Sequence, residues 1–297
     1  MIRRRVGRAY DPLRRCAKAL LQPRQGRSLV SNLKLKPVIA LSLAVLIAAP
    51  SIIAAAPMYA IPLSGAQRSA ENRARDKFRH PVETLTFFGI KPTMTVVEIS
   101  PSAGWYTEIL APYLKDKGVY YAAGNDPAAG ERAVKGIATF KTKLDSSPAY
   151  AKVRVTAFGK GAYDIAPAGS ADAVLSFRNV HNWYIGGFAP DAFKSFAKAL
   201  KPGGTLGIVE HHLPEDKPDA MQNSSGYMKK STIVKLAQDA GFKLVAESKV
   251  NANAKDGHDY PKGVWTLPPN YAEGDTNKAK YTAIGESDRM TLKFVKS

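Results

Sequence analysis

From Met94 onward, short apolar runs alternate with longer amphipathic ones. TVVEIS, GVYYAAG, KVRVTAF, ADAVLSF, TLGIVEHH, KLVAESKV and RMTLKFVK are rich in Val, Ile, Leu, Phe and Tyr and bounded by Gly, Pro, Asp or Lys, the pattern of buried strands. Between them lie WYTEILAPYL, GERAVKGIATFKTKL, PDAFKSFAKAL and KKSTIVKLAQDAGF, which read as helices. In the first, Ile109, Leu110, Tyr113 and Leu114 mark the buried face, and Pro112 is expected to kink the helix or end it early. Pro190 and Asp191 start the third, LKPGG closes it by a glycine stop, and Gly241 ends the fourth. Strands separated by helices of this length imply an α/β fold, a mostly parallel sheet with helices on both faces. Residues 61–80 are polar and helix-compatible, and Pro81 ends that run. Val82, Leu85, Phe88 and Ile90 then predict a short helix laid over the sheet. Residues 251–285, rich in Pro, Asn and Gly, read as a long irregular connection before the last strand.

The first 60 residues have another character. Residues 1–36 hold eleven Lys/Arg against one acid, Asp11, and run into PVIALSLAVLIAAPSIIAAAPMYA, uncharged from Val38 to Ala56. This is the layout of a secretory signal, with candidate cleavage after Ala55 or Ala60. A retained membrane anchor is the competing reading, since about 18–20 apolar residues span a bilayer; Pro50 and the Ala-rich end favour cleavage. Either way the basic flank stays in the cytoplasm and residues 61–297, one domain, face outward: exported, periplasmic or anchored to the inner membrane. Membrane contact is expected only through the N-terminal segment. The length of the basic flank also suggests a later translation start, near Val30 or Leu33.

Charge changes the picture less than its total suggests. The net +18 splits into +10 in residues 1–36 and +8 over the remainder, without a basic stripe, so no nucleic-acid partner is expected. The single cysteine, Cys16, lies in the leader, so the rest of the chain has no disulfide, thiol nucleophile or cysteine metal site. The oligomeric state has no signature.

Candidate chemistry gathers where the first strand meets the first helix. VVEISPSAGWYT ends a strand in Glu98, turns, and opens a helix near Gly104. In open parallel sheets, ligands bind beyond the carboxyl ends of the strands, where a helix N-terminus offers free N–H groups. The sequence lacks a G-x-x-x-x-G-K-[ST] loop, a G-x-S-x-G elbow and the dinucleotide G-x-G-x-x-G.

VVEISPSAG resembles the first motif of class I S-adenosylmethionine-dependent methyltransferases, and ADAVLSFRNVHNW their fourth. ALKPGGTLGIVEHH resembles the segment leading into their fifth strand, and AGFKLVAES their last helix and sixth strand. IGESDRMTLKFVKS, with FFGIKPTMTVVEI and GVWTLPPNY, looks like a bacterial subgroup of predicted methyltransferases, many with signal peptides. The resemblance covers about residues 66–297. It implies a Rossmann-like methyltransferase fold, a seven-stranded mostly parallel sheet in the order 3-2-1-4-5-7-6 with strand 7 antiparallel. It also implies S-adenosyl-L-methionine as cofactor and methyl transfer to a small-molecule or other acceptor that the sequence does not name. The alternative is an exported, non-catalytic Rossmann-like binding protein with a modified cofactor loop.

Carried over residue by residue, the resemblance puts Glu98 at the methionine end of the cofactor. Ser100, Ser102 and Gly104 stand at three positions where the family has glycine, so two depart from the pattern. Serine at positive φ costs roughly 1 kcal/mol and takes up space, which bears on affinity. Asp126 is the nearest acid to the ribose position, slightly late, and a surface turn is its bland reading. Asn179 follows the fourth strand and is a cofactor-binding candidate. His181 is the candidate general base, its ordinary pKa being near neutrality; hydrogen bonding within the loop is the other reading. Trp105 and Tyr106 open the first helix, and one of them covers the cofactor or both pack as core; Tyr106 is the one placed in the catalytic set. His211 and His212 are adjacent on a strand and point to opposite faces, so they are not expected to share one metal; a site from His181, His211 and His258 is the minor alternative, and no metal is expected. Glu286, Asp288 and Arg289 read as a local salt-bridged turn.

Overall fold

The computed structural model describes residues 60–297. The basic leader with Cys16, the apolar run and the signal-peptide reading lie outside the described residues. Those residues belong to one unit. None of their helices is long and apolar enough to cross a membrane.

Three helices precede the sheet: α1 (Ala70–Ala74), α2 (Asp76–Arg79) and α3 (Pro81–Phe88). Ser69 caps α1 by accepting from the Asn72 amide. The alternation follows as β1 (Thr95–Ile99), α4 (Thr107–Leu114), β2 (Val119–Asn125), α5 (Glu131–Asp145), β3 (Arg154–Phe158), β4 (Ala171–Phe177), α6 (Val180–Ile185), α7 (Ala189–Ala199), β5 (Leu200–Leu213), β6 (Met228–Lys229), α8 (Lys230–Asp239), β7 (Phe242–Ser248), α9 (Lys278–Ile284) and β8 (Arg289–Lys296). The sheet order is β3-β2-β1-β4-β5-β8-β7, with β6 paired to β5 off this path. β1 to β5 run parallel, and β8 lies antiparallel between β5 and β7. This is the order the resemblance implies, with β7 and β8 as its sixth and seventh strands. The two-residue β6 is an extra strand, too short to show a period in sequence.

Period-two alternation sorts the central strands between two cores. Val97, Ile99, Tyr121 and Ala123 face α6, α7 and α8, with Trp183, Phe193 and Phe196. Val96, Tyr120, Ala122, Ala173 and Leu175 face α3, α4 and α5, with Phe88, Leu110 and Phe140. Burial on both faces is why these strands read as continuous apolar runs.

Four expectations need correction. LKPGG is not a stop: β5 begins at Leu200, which pairs with Ala171 before a register shift to Ala173 and Thr205. α4 starts at Thr107 rather than Trp105 and ends at Leu114, two residues past Pro112. The polar run forms two short helices parted at Arg75, and a left-handed φ of 39° at His80 ends α2 ahead of Pro81, which opens α3 instead of ending the run. The connection over 251–285 carries a 3-10 turn (Gly263–Thr266) and α9. It is tied down by Asn253, whose amide donates to the Ile284 and Glu286 carbonyls, and by Asp256, which accepts from Tyr227 Oη, 2.9 Å away. Its Pro and Gly content describes the backbone turns and not the polar anchors.

Candidate functional site

The β1–α4 loop keeps the backbone of a glycine loop despite its serines. Ser100 and Ser102 each have φ 53° and Gly104 has φ 75°, all in the left-handed region. The Ser100 amide donates to the Ala123 carbonyl (2.8 Å), the Gly104 amide to the Pro101 carbonyl (2.8 Å), and Ser102 Oγ to the Ser100 carbonyl (3.3 Å). Gly104 has a second reason to be glycine. A Cβ there would lie 2.8 Å from the Lys143 side chain and 3.2 Å from Phe140, so it would push on α5.

The loop borders three cavities. The largest, about 770 Å³, runs from Ser100 and Ser102 past Asn125 and Asp126 to Phe158, Asn179 and Trp183. A smaller one, about 140 Å³, is bounded by Glu98, Trp105, Tyr106, Phe177, Arg79 and Arg178. A third, about 450 Å³ and mostly apolar, lies under α5 between Phe140, Leu144, Val153 and Val155.

The sequence-derived candidates fall in different places. Glu98 is buried; it accepts from Tyr120 Oη and from Thr107 Oγ1 (3.3 Å). Burial pushes its carboxyl up to about 7, against the hydrogen bonds and the nearby arginines that favour its charged form. Asp126 lines the large cavity while capping the 3-10 turn over Pro127–Ala129 through the Ala128 amide (3.0 Å). Asn179 also lines that cavity, but its Nδ2 donates to the carbonyls of Ile99 (3.3 Å), Ser100 (3.4 Å) and Phe177 (3.2 Å). It clamps the ends of β1 and β4.

Tyr106 is buried and stacks on Phe177 with centroids 3.5 Å apart and planes 11° off parallel. Desolvation pushes its phenol up to about 12, so it stays neutral and serves as an aromatic wall of the small cavity. His181 is 3 % exposed and borders none of the three loop cavities. Its Nδ1 lies 3.0 Å from Glu210 Oε1, and its ring meets His211 (5.3 Å) and Trp265 (5.9 Å).

Sequence reading missed two groups. The first is Glu210, fully buried, which accepts from the Val180 (2.5 Å) and His181 (3.4 Å) amides at the start of α6, and from the His211 amide (2.9 Å). It supplies the negative charge that the N-terminus of α6 lacks. An acid inside an apolar strand, EHH at the end of TLGIVEHH, was the available signal. The second is Glu286: its expected local pair with Arg289 forms, but it also bonds Arg75, Arg79 and Arg178, far away in sequence. Arg75 Nε lies 2.6 Å from it, Arg289 Nη1 3.0 Å, Arg79 Nε 3.4 Å and Arg178 Nη1 3.5 Å. These cations overcome burial and hold its carboxyl down at about 2. No spacing pattern could have shown it.

His181, Glu210 and His211 bring three donor atoms within 4.8 Å of one another, with Glu210 in the place the sequence offered to His258. The fold engages the Glu210 carboxylate, beside three amides and His181 Nδ1, and His211 Nδ1, 2.5 Å from Ser287 Oγ. His211 and His212 do diverge: His212 Nδ1 faces Asp288 at 2.9 Å, and hydrogen bonds from His212, His258 and the Asn253 amide outweigh burial and hold the Asp288 carboxyl well below the usual carboxylate range.

No model of a known family matches the chain, and no curated protein does. Solved structures do. A SAM-dependent methyltransferase from Aquifex aeolicus aligns at TM-score 0.52 and 15 % identity, covering 75 % of this chain and 93 % of its own. A putative sarcosine dimethylglycine methyltransferase from Galdieria sulphuraria aligns at TM-score 0.50 and 13 % identity, covering 76 % and 86 %. The [4+2]-cyclase SpnF aligns at TM-score 0.50 and 13 % identity, covering 80 % and 87 %. The class is therefore that of the Rossmann-like methyltransferase fold, with a mixed, mostly parallel open sheet. At these identities the likeness is one of fold.

Proposed function

We propose that the protein transfers a methyl group from S-adenosyl-L-methionine to a small-molecule acceptor. The observation that carries this is the backbone of Ser100, Ser102 and Gly104: three left-handed residues shape a loop with a nucleoside-sized cavity on one side and a small, acid-bearing cavity on the other. Left-handed serine is costly, so the loop's shape is maintained against local preference.

The residues fit the cofactor's parts. Asn125 and Asp126 end β2 beside the large cavity, where ribose hydroxyls find acceptors. Glu98 faces the small cavity as partner for an ammonium. The cofactor supplies an electrophilic methyl on a sulfonium. The chain supplies position, a wall of stacked Tyr106 and Phe177 that excludes water, and backbone N–H groups at the start of α4. At His181 the bond to Glu210 holds a proton on Nδ1 and leaves Nε2 as the basic atom.

The burial of His181 away from the loop cavities favours the second reading, a non-catalytic binding protein. Export, argued from the leader, belongs to both, and a fusion of residues 1–60 to a periplasm-dependent reporter tests it. Calorimetric titration with S-adenosylmethionine and S-adenosylhomocysteine, beside Gly104→Val, tests the main reading. The expected result is binding that the variant loses. No heat at millimolar cofactor removes the methyltransferase, and equal binding by both proteins moves the site elsewhere.

A further inference from the structure

The small cavity ends in a group of charges that the cofactor does not balance. Four guanidiniums, from Arg75, Arg79, Arg178 and Arg289, surround the one carboxylate of Glu286. A carboxylate offers about four acceptor sites, whereas each arginine has five N–H donors. Arg289 spends two more donors on the Phe78 and Ser287 carbonyls. Among the described residues, the only ion pair or hydrogen bond of the Arg178 guanidinium is the 3.5 Å contact with Glu286. Arg79 has its 3.4 Å bond to Glu286 and the face of Trp105, 4.6 Å from its guanidinium. Both arginines border the small cavity, and a hollow of about 10 Å³ continues from it between Arg79, Arg178 and Arg289.

The neighbouring acids do not restore balance. Glu210 is bound to His181 and the α6 amides, Asp288 to His212, and Glu108 to Lys143 and Arg68. Glu98 is the remaining carboxyl, and burial keeps it partly protonated near neutral pH. Burial with like charges makes this state costly: the guanidiniums of Arg79 and Arg178 are both driven toward losing their protons, by desolvation first. The backbone adds to the cost, since Arg178 holds φ 61°, where glycine would be unstrained. S-adenosylmethionine brings one carboxylate, one ammonium and one sulfonium, a net positive charge, so its arrival deepens the excess.

We propose that the arginine group is the acceptor site, and that the acceptor is a small anion bearing a carboxylate or phosphate. This rests on the methyltransferase reading. Guanidinium forks match both anions in geometry. The anion neutralises the cluster, brings its carrier to the methyl side of the small cavity, and places a nucleophile in a positive field that favours its deprotonated form.

The test is calorimetry on the full chain at low ionic strength, with oxalate and inorganic phosphate as probes, before and after saturation with S-adenosylhomocysteine. At least one probe is expected to bind the saturated protein, the stronger of the two naming carboxylate or phosphate. Arg178→Gly should weaken it tenfold or more, leave S-adenosylhomocysteine affinity within about threefold, and not lower the melting temperature, because glycine suits φ 61°. If that variant melts early, Arg178→Lys replaces it, with several-fold weaker binding expected because the fork is lost. Displacement of both probes by S-adenosylhomocysteine overturns the proposal, since the arginines then serve the cofactor's own carboxylate. So does anion binding unchanged by Arg178 substitution, or no anion binding. If S-adenosylhomocysteine itself does not bind, the methyltransferase reading falls and the acceptor assignment with it; anion binding that still depends on Arg178 then marks a plain anion site.

Discussion

Glu210 Oε1 sits 3.0 Å from His181 Nδ1, while the same carboxylate accepts the first amides of α6. One buried acid thus sets both the start of the helix and the orientation of the imidazole. Substituting it separates structure from chemistry. Glu210→Ala should cost about 3 kcal/mol of stability in urea unfolding, because buried amides and an imidazole lose their partner. His181→Gln keeps a polar group beside Glu210 and should cost about 1 kcal/mol or less. If His181 is the base, that second variant lowers kcat with little change in KM; unchanged kcat assigns His181 to the fold.

The serine loop makes a prediction of opposite sign. Ser100→Gly and Ser102→Gly should each raise stability by up to about 1 kcal/mol in thermal melts, since glycine carries no Cβ penalty at φ 53°. Cofactor affinity should rise or hold. A fall in melting temperature for both would show that the hydroxyls, such as Ser102 Oγ on the Ser100 carbonyl, outweigh the strain.

Two buried acids give the unliganded chain a stability profile with two limbs. Glu98 is raised to about 7, so its protonated form favours folding. Its contribution is full below pH 4.5 and is lost as pH climbs from there through about 7, a change of about 3 kcal/mol. Glu286, lowered to about 2, contributes above pH 4.5 and loses that contribution as pH falls through 2. Glu98→Gln should flatten the upper limb alone in unfolding measured from pH 4 to 8, leaving the lower limb in place.

The segment before β8 should come loose when one carboxylate is removed. Asp256 accepts from Tyr227 Oη, the His258 amide (2.9 Å) and the Asp288 amide (2.7 Å). Asp256→Ala leaves those donors unpaired and should cost about 2–3 kcal/mol. Limited proteolysis should then cut within residues 251–288 before it cuts the sheet. Cutting rates equal to those of the unsubstituted chain would show that Asn253 and α9 hold the segment alone.

The residues show where sequence reading reaches and where it stops. Strand patterns such as ADAVLSF and RMTLKFVK matched β4 and β8 end to end, because burial on both faces imposes a local composition. The strand-turn-helix at the loop was legible because a backbone turn is a property of adjacent residues, and the resemblance implied its three glycine positions. LKPGG misled because its Gly and Pro also suit the bulged start of a strand, which only pairing with Ala171 reveals. Asn179 and Asp126 were placed at the cofactor end of the sheet, but their clamp and cap bonds depend on neighbouring strands and turns.

The sequence by itself determined the order of elements, the two-faced sheet and the position of the loop, since all three follow from short-range hydrophobic period and turn chemistry. Tertiary structure alone decided which charges meet. Arg75 and Glu286 are 211 positions apart, and their bond exists only because α2 packs against the entry to β8. The arginine excess beside Glu98, and the acceptor chemistry inferred from it, are properties of that meeting.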